Sequence, residues 1–243
     1  MSASSARTVV VTGGATGIGR EISTTLADAG WRVAIWDRTS PESPLHDQIL
    51  SVTADVTEPT SLETALRSTE REIGPIDALV NNAGIDHVGP FVESTPHQWD
   101  DIVSVNLLGA IRCTRLVLDG MVERSHGRIV FIASDAGKVG GANEAVYSAS
   151  KGGVIAFAKA LAREVAPSGV LVNSVCPGPV QTALLRQLAE HSSQQVARLT
   201  RAIPLGRVGH PSDVAALVGF LLSDGANYIT GQAWSVSGGL TMV

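Results

Sequence analysis

The sequence predicts a doubly wound α/β fold, a parallel sheet with helices on both faces, from three observations. Short continuous apolar runs alternate with longer segments of helical period along the 243 residues. The first apolar run leads straight into a glycine-rich turn and a helix. No Pro/Ser-rich linker, low-complexity tract or internal repeat interrupts the alternation. Strands buried on both faces read as unbroken apolar runs, which is the pattern of a parallel sheet covered by helices.

In chain order, Thr8–Val11 reads as a strand and Ile18–Ala29 as a helix; Arg32–Trp36 and Ile49–Val52 are strands, Ser61–Ile73 a helix, and Ala78–Val80 a strand. Pro96–Met121 is helical, Arg128–Ala133 a strand, Ala145–Val165 a helix, Val170–Val175 a strand, Pro211–Leu222 a helix and Gln232–Val236 the last strand. The short length of the apolar runs separates strands from helices. Seven strands with helices between them make a doubly wound sheet, and residues 1–243 are expected to form one domain.

Hydrophobic residues make up 44% and charged residues 17%, enough apolar material for a sizeable core. Aromatics are only 4%, so Val, Ile, Leu and Ala must fill it, and Trp36 reads as part of that core rather than as an adenine platform. The formal net charge is -5, with no Lys/Arg run to track a phosphate backbone, which argues against a nucleic-acid partner. Cys113 and Cys176 are far apart without metal-ligand spacing; they read as buried thiols of a reducing cytoplasm, and no metal is expected. The apolar run in MSASSARTVVV is too short for a signal peptide or a membrane span. A cytoplasmic protein without a membrane partner is expected.

TGGATGIGR, residues 12–20, places Gly13, Gly17 and Gly19 between a strand and a helix. In that setting glycines let the backbone approach a pyrophosphate, and the helix N-terminus supplies unpaired N–H groups and a favourable dipole. Asp37 ends the second strand, eighteen residues after Gly19. An acid there can accept both hydroxyls of an adenosine ribose and repels a 2′-phosphate, so NAD is expected over NADP. Arg38 works the other way, since a guanidinium tolerates the phosphate if Asp37 turns aside.

AVYSASKGG, residues 145–153, sets one of only two tyrosines four residues before a lysine. That spacing puts both side chains on one helix face. A nearby ammonium favours phenolate over phenol, so the pair can form a general base; by spacing alone it can also be an ordinary surface or core pair.

The glycine turn, Asp37, NNAG at 81–84, Asn106, Ser134, YSASK at 147–151 and PGPVQT at 177–182 stand in a fixed order, with thirteen residues from Ser134 to Tyr147. With these motifs the chain resembles the short-chain dehydrogenase/reductase family over nearly its whole length. The resemblance implies a single Rossmann-fold domain with a seven-stranded parallel sheet, assembly as a homotetramer, and hydride exchange between a nicotinamide cofactor and a secondary alcohol or ketone. It implies that Tyr147 is the acid/base and that Lys151 lowers the phenol's pKa and holds the nicotinamide ribose. Ser134 would orient the substrate oxygen, and the backbone carbonyl of Asn106 would hold a water in a proton relay to Lys151. Taken singly, Ser134 could only cap a turn and Asn106 could satisfy neighbouring backbone. Moving a phenol from about 10 to about 7 requires roughly 4 kcal/mol of differential stabilisation.

The cofactor groove implied by the resemblance takes Gly13, Thr16, Gly17, Gly19 and the backbone N–H of Ile18 at the phosphates, and Asp37 and Arg38 at the ribose. Asp55 and Val56 lie at the adenine edge, and Asn82, Ala83 and Gly84 by the adenine ribose. Tyr147 and Lys151 lie at the nicotinamide ribose, with Pro177, Gly178, Val180 and Thr182 in the segment that receives the carboxamide.

Ligands of doubly wound sheets sit beyond the carboxyl ends of the strands. The expected substrate wall is therefore Asp86–Val92, Asp135–Glu144 and a helical lid at 183–203. Asp135 and Glu144 can recognise a substrate hydroxyl or amine, or bond to loop backbone. Arg186, Arg198 and Arg201 can meet the phosphates of a thioester carrier, or be solvated helix charges. The leading expectation is NAD-dependent oxidation of a cyclic secondary alcohol or a hydroxyacyl thioester. The alternatives are an NADPH-dependent 3-oxoacyl thioester reductase and a catalytically silent dinucleotide-binding protein.

Overall fold

The computed structural model describes residues 6–41, 45–182 and 193–243. Strand β1 (Thr8–Thr12) leads into α1 (Gly17–Asp28), followed by β2 (Arg32–Asp37), β3 (Ile49–Thr53), α2 (Pro59–Ile73) and β4 (Ala78–Asn81). Then come α3 (Pro96–Val103), α4 (Ala110–Glu123), β5 (Gly127–Ile132), a one-turn α5 (Ala136–Val139), α6 (Ala145–Val165), β6 (Val170–Pro177), α7 (Ser193–Ala202), α8 (Pro211–Leu222) and β7 (Ala233–Val236). Among the described residues no helix is long and apolar enough to cross a membrane.

All seven strands pair in parallel in the order β3-β2-β1-β4-β5-β6-β7, the doubly wound Rossmann arrangement. The winding reverses between β1 and β4, which opens a crevice at their carboxyl ends where ligands of such sheets bind. β1 is buried along its whole length, as its unbroken TVVVT run requires.

Alternate residues of each strand feed opposite layers. Val10, Ala34, Leu79, Ile129 and Phe131 pack with Leu62, Val117, Val154 and Leu161 from α2, α4 and α6. Val9, Val11, Val33, Ile35 and Val80 pack on the other face with Ile22, Leu26, Val218 and Leu222 from α1 and α8. Each such side chain, fully buried, stabilises the fold by about 1.5–3 kcal/mol. Trp36 is fully buried in the first layer and its indole N–H donates to Thr69 Oγ1 at 2.9 Å, a core role as expected.

The segment expected as one helix, Pro96–Met121, is helical but interrupted. Thr95 caps its start: Thr95 N–H donates to Gln98 Oε1 at 2.9 Å, with Pro96 in the first turn where its missing N–H does no harm. Residues Ser104–Gly109 then form a π-helical turn, with Asn106 inside it. Such turns widen the helix locally and gather at functional positions.

Candidate active site

The glycine turn lies at the crevice. Gly13 and Gly17 adopt left-handed backbone, φ 63° and 55°, which a side chain would strain. Gly19 needs its missing side chain for another reason: a Cβ there would lie 2.2 Å from Gly13 O and 2.4 Å from Asn82 Nδ2. Asn82 locks the turn to β4, donating its amide to Thr12 O and Gly13 O, each at 3.0 Å. Thr12 Oγ1 in turn accepts the Asn82 and Ala83 N–H groups at 3.0 Å. The side chain of Asn82 therefore builds the crevice rather than reaching into it.

A dinucleotide pyrophosphate fits these residues. Thr16, preceding α1, makes no side-chain cap, and no acid stands in the first turn, so the helix N-terminus keeps donors for an anion. A Cβ built on Gly17 meets nothing nearer than Thr182 Cγ2 at 3.9 Å, so the backbone there is open to close approach. Ile18 is half-buried against the second core layer, which leaves its backbone as the part available at the turn.

Asp37 behaves differently from expectation. Its Oδ2 accepts the Ala15 N–H at 3.0 Å, and Oδ1 accepts the Thr39 N–H at 3.1 Å and the Thr39 hydroxyl at 3.2 Å. The carboxylate thus braces the glycine turn and the loop after β2, while the Arg38 guanidinium beside it is exposed. Asp55 accepts the N–H and hydroxyl of Thr57 at 2.8 and 2.7 Å. Burial opposes its ionisation, but these bonds and Arg38 outweigh that and hold the carboxyl below its usual value. Val56 is buried and packs against Gly109, where a Cβ would come within 2.8 Å of it.

The structure brings Ser134, Tyr147, Lys151 and Asn106 together. Ser134 follows β5, accepts the Ala136 N–H at 3.1 Å and hydrogen-bonds the Tyr147 phenol. Lys151 lies one turn along α6, fully buried, its Nζ donating to Ile132 O at 2.8 Å and standing 5.7 Å from the Tyr147 ring centre. Asn106 bonds Ile85 twice, accepting its N–H at 2.8 Å and donating to its carbonyl at 2.9 Å, and donates to Ser150 Oγ at 3.1 Å. Gly84 fits between, since a Cβ there would be 3.3 Å from both Asn106 Oδ1 and Lys151 Nζ.

The protein's own groups act against a lowering of the phenol to about 7. Burial, and then Asp86 and Glu144, outweigh the Ser134 hydrogen bond and push Tyr147 up to about 12. Burial likewise pulls Lys151 down to about 8, against the attraction of its neighbours. These groups favour the protonated phenol. Sequence reasoning missed Asp86 as an individual residue; only its position two residues after NNAG signals it.

Of the remaining expected residues, Gly178 donates its N–H to Val236 O at 3.0 Å, and a Cβ there would strike Ser237 Cβ at 2.8 Å. Pro177 closes β6, and Val180 pairs with Gly209 in an isolated parallel bridge. Asp135 is turned to β7: Oδ1 accepts the Ser235 hydroxyl at 2.7 Å, and Ser235 Oγ also accepts from Lys138 at 3.0 Å. Glu144 stands at the start of α6, its carboxyl raised by burial and by Asp86. Arg186 lies outside the described residues, as does the first part of the expected lid. α7 supplies its end, where Arg198 and Arg201 are exposed and Arg201 Nε donates back to Ala197 O at 3.2 Å.

Residues 13–241 match the family model described as enoyl-(acyl carrier protein) reductase. The chain is 40% identical over 237 residues to an acetoacetyl-CoA reductase of Shinella zoogloeoides, covering 96% of this chain and 98% of that protein. It is 40% identical over 240 residues to the 3-oxoacyl-[acyl-carrier-protein] reductase FabG of Escherichia coli, covering 96% and 97%. A solved structure of an actinorhodin polyketide ketoreductase variant with NADPH superposes with a TM-score of 0.92 at 39% identity, covering 97% of both chains. The expectation of NAD is corrected by that NADPH-bound neighbour. The physical reason is that Asp37, the acid meant to exclude a 2′-phosphate, is spent on Ala15 and Thr39.

Proposed function

The chain belongs to the short-chain dehydrogenase/reductase family, and on that premise we propose that it reduces 3-oxoacyl thioesters with NADPH. It is an oxidoreductase of CH–OH and carbonyl groups. The observation that carries the direction is the full-length similarity to reductases, and the Tyr147 phenol, hydrogen-bonded to Ser134 in surroundings that favour its neutral form, fits it. A neutral phenol beside a hydroxyl is a proton donor for a carbonyl oxygen, whereas alcohol oxidation needs the phenolate. Full-length similarity to two reductases of 3-oxoacyl thioesters supports the substrate class. NAD-linked oxidation of a cyclic secondary alcohol or a hydroxyacyl thioester, expected from the sequence, gives way to this reading.

NADPH supplies the hydride when bound, with the N-terminus of α1 and the glycine turn holding its phosphates. Ser134 and Tyr147 orient the substrate oxygen from two directions, and Tyr147 Oη gives its proton to that oxygen as negative charge develops there. Lys151, buried and one turn away, stabilises the tyrosinate left behind, and a water held at the Asn106 backbone carbonyl would return the proton through Lys151. Arg38, exposed where Asp37 is engaged, would take the 2′-phosphate.

This assignment makes Arg38 testable. Arg38→Ala should weaken NADPH binding about tenfold, the loss of one charge-assisted contact, while NADH binding stays near the parent value. Titration of cofactor fluorescence measures both; equal losses would remove Arg38 from phosphate recognition. For the substrate class, 3-oxoacyl thioesters should be turned over well ahead of free cyclic ketones, and the reverse order would return the cyclic substrates to first place. We also infer a homotetramer, supported by apolar groups left exposed at the C-terminal side, Phe220, Trp234 and Tyr228. Light scattering at the mass of one chain would contradict it.

A further inference from the structure

The segment after NNAG is pinned against the reactive residues. Ile85 is clamped by both hydrogen bonds of the Asn106 side chain, and Gly84 abuts Lys151. Asp86 follows directly. Its carboxylate takes the His87 backbone N–H, yet Oδ1 is buried with no hydrogen-bond donor, a costly placement unless the charge serves something nearby. Glu144, arriving from the start of α6, shares the same surroundings. Among the described residues, the titratable groups felt by Asp86 are His87 on its own loop and Tyr147, Lys151 and Glu144 from the α6 side.

We propose that Asp86, assisted by Glu144, is a positioning residue that keeps Tyr147 in its acid form, ready to give a proton to a carbonyl oxygen. Both carboxylates are ionised across the alkaline range where a phenol titrates, and each opposes a negative charge on Tyr147 Oη. After Tyr147 has given its proton to the substrate oxygen, the same repulsion favours reprotonation over persistence of the tyrosinate. The sign follows directly. Neutralising Asp86 removes a repulsion from the phenolate, so the phenol's pKa falls and base-catalysed alcohol oxidation starts at lower pH.

The role builds on the proposed reductase activity, and the test separates the two. In NADP-linked oxidation of a 3-hydroxyacyl thioester, the alkaline rise of kcat/KM should move about one pH unit lower in Asp86→Asn. Asp86→Glu should restore the parent profile, which a purely structural role would not predict. Glu144→Gln, on a different element, should shift the profile in the same direction. An unmoved midpoint in both neutral variants overturns the proposal.

The second arm needs no substrate. Tyr228 is fully exposed, and its replacement by Phe leaves Tyr147 as the only tyrosine. Near-ultraviolet absorbance at about pH 11 should then report roughly a tenth of Tyr147 as phenolate, and roughly half once Asp86→Asn is added. Circular dichroism confirms that both proteins remain folded at that pH. Equal phenolate fractions reject the role of Asp86 even if no thioester is turned over, whereas unequal fractions without turnover reject only the reductase reading.

Discussion

Replacing Tyr147 with phenylalanine is expected to lower carbonyl reduction about a thousandfold, the middle of the range for loss of a positioned general acid. NADPH binding should stay comparable to the parent, because the glycine turn, the N-terminus of α1 and Lys151 are untouched. The fold should also survive. Ser134 keeps its bond from the Ala136 N–H, and Lys151 Nζ keeps Ile132 O, so removing the phenol oxygen strands neither partner. Single-turnover reduction with prebound NADPH isolates the proton-coupled step from product release. Parent-like rates in that assay would mean that another group gives the proton.

Gly19→Ala is the second large effect, and it acts through the backbone. The added methyl would sit 2.2 Å from Gly13 O and 2.4 Å from Asn82 Nδ2. Gly13 O cannot yield without moving β1, and Asn82 cannot turn away without releasing Thr12 O and Gly13 O. Overpacking of this kind costs about 1–3 kcal/mol. The greater loss should be functional, because the displaced turn no longer presents its N–H groups to a pyrophosphate. Thermal unfolding with and without NADPH separates the two effects: the melting temperature falls modestly, and the stabilisation given by NADPH disappears. Retained stabilisation by NADPH would show that the pyrophosphate does not depend on this turn.

Much of the architecture was legible because it follows from burial. Strands such as TVVVT and RVAIWD must be covered on both faces, and only a parallel sheet between helices does that. The glycine turn was legible because few residue types tolerate left-handed backbone and close approach together. The π-helical turn around Asn106 was not, since the apolar period runs through SVNLLG without a break and the turn is set by bonds to Ile85 and Ser150. One-turn α5 escaped for a simpler reason, being too short to show a period.

At the site, residue type placed Ser134, Tyr147 and Lys151 together but did not show what surrounds two ionisable groups. Asp37 has the right type and position for a ribose acid, yet the N–H groups of Ala15 and Thr39 compete for its oxygens, and those lie on another turn and in the next loop. Tyr147 was expected to be lowered by a lysine visible four residues away. The opposing effects, burial and the Asp86 carboxylate some sixty residues earlier, exist only once the chain is folded.

The most direct test of the central claim follows the nicotinamide absorbance when purified protein is mixed with acetoacetyl-CoA and either NADPH or NADH. The account predicts rapid loss of absorbance with NADPH, a kcat/KM for NADPH well above that for NADH, and no such loss without the thioester. Absence of turnover with NADPH, or a clear preference for NADH, would contradict it.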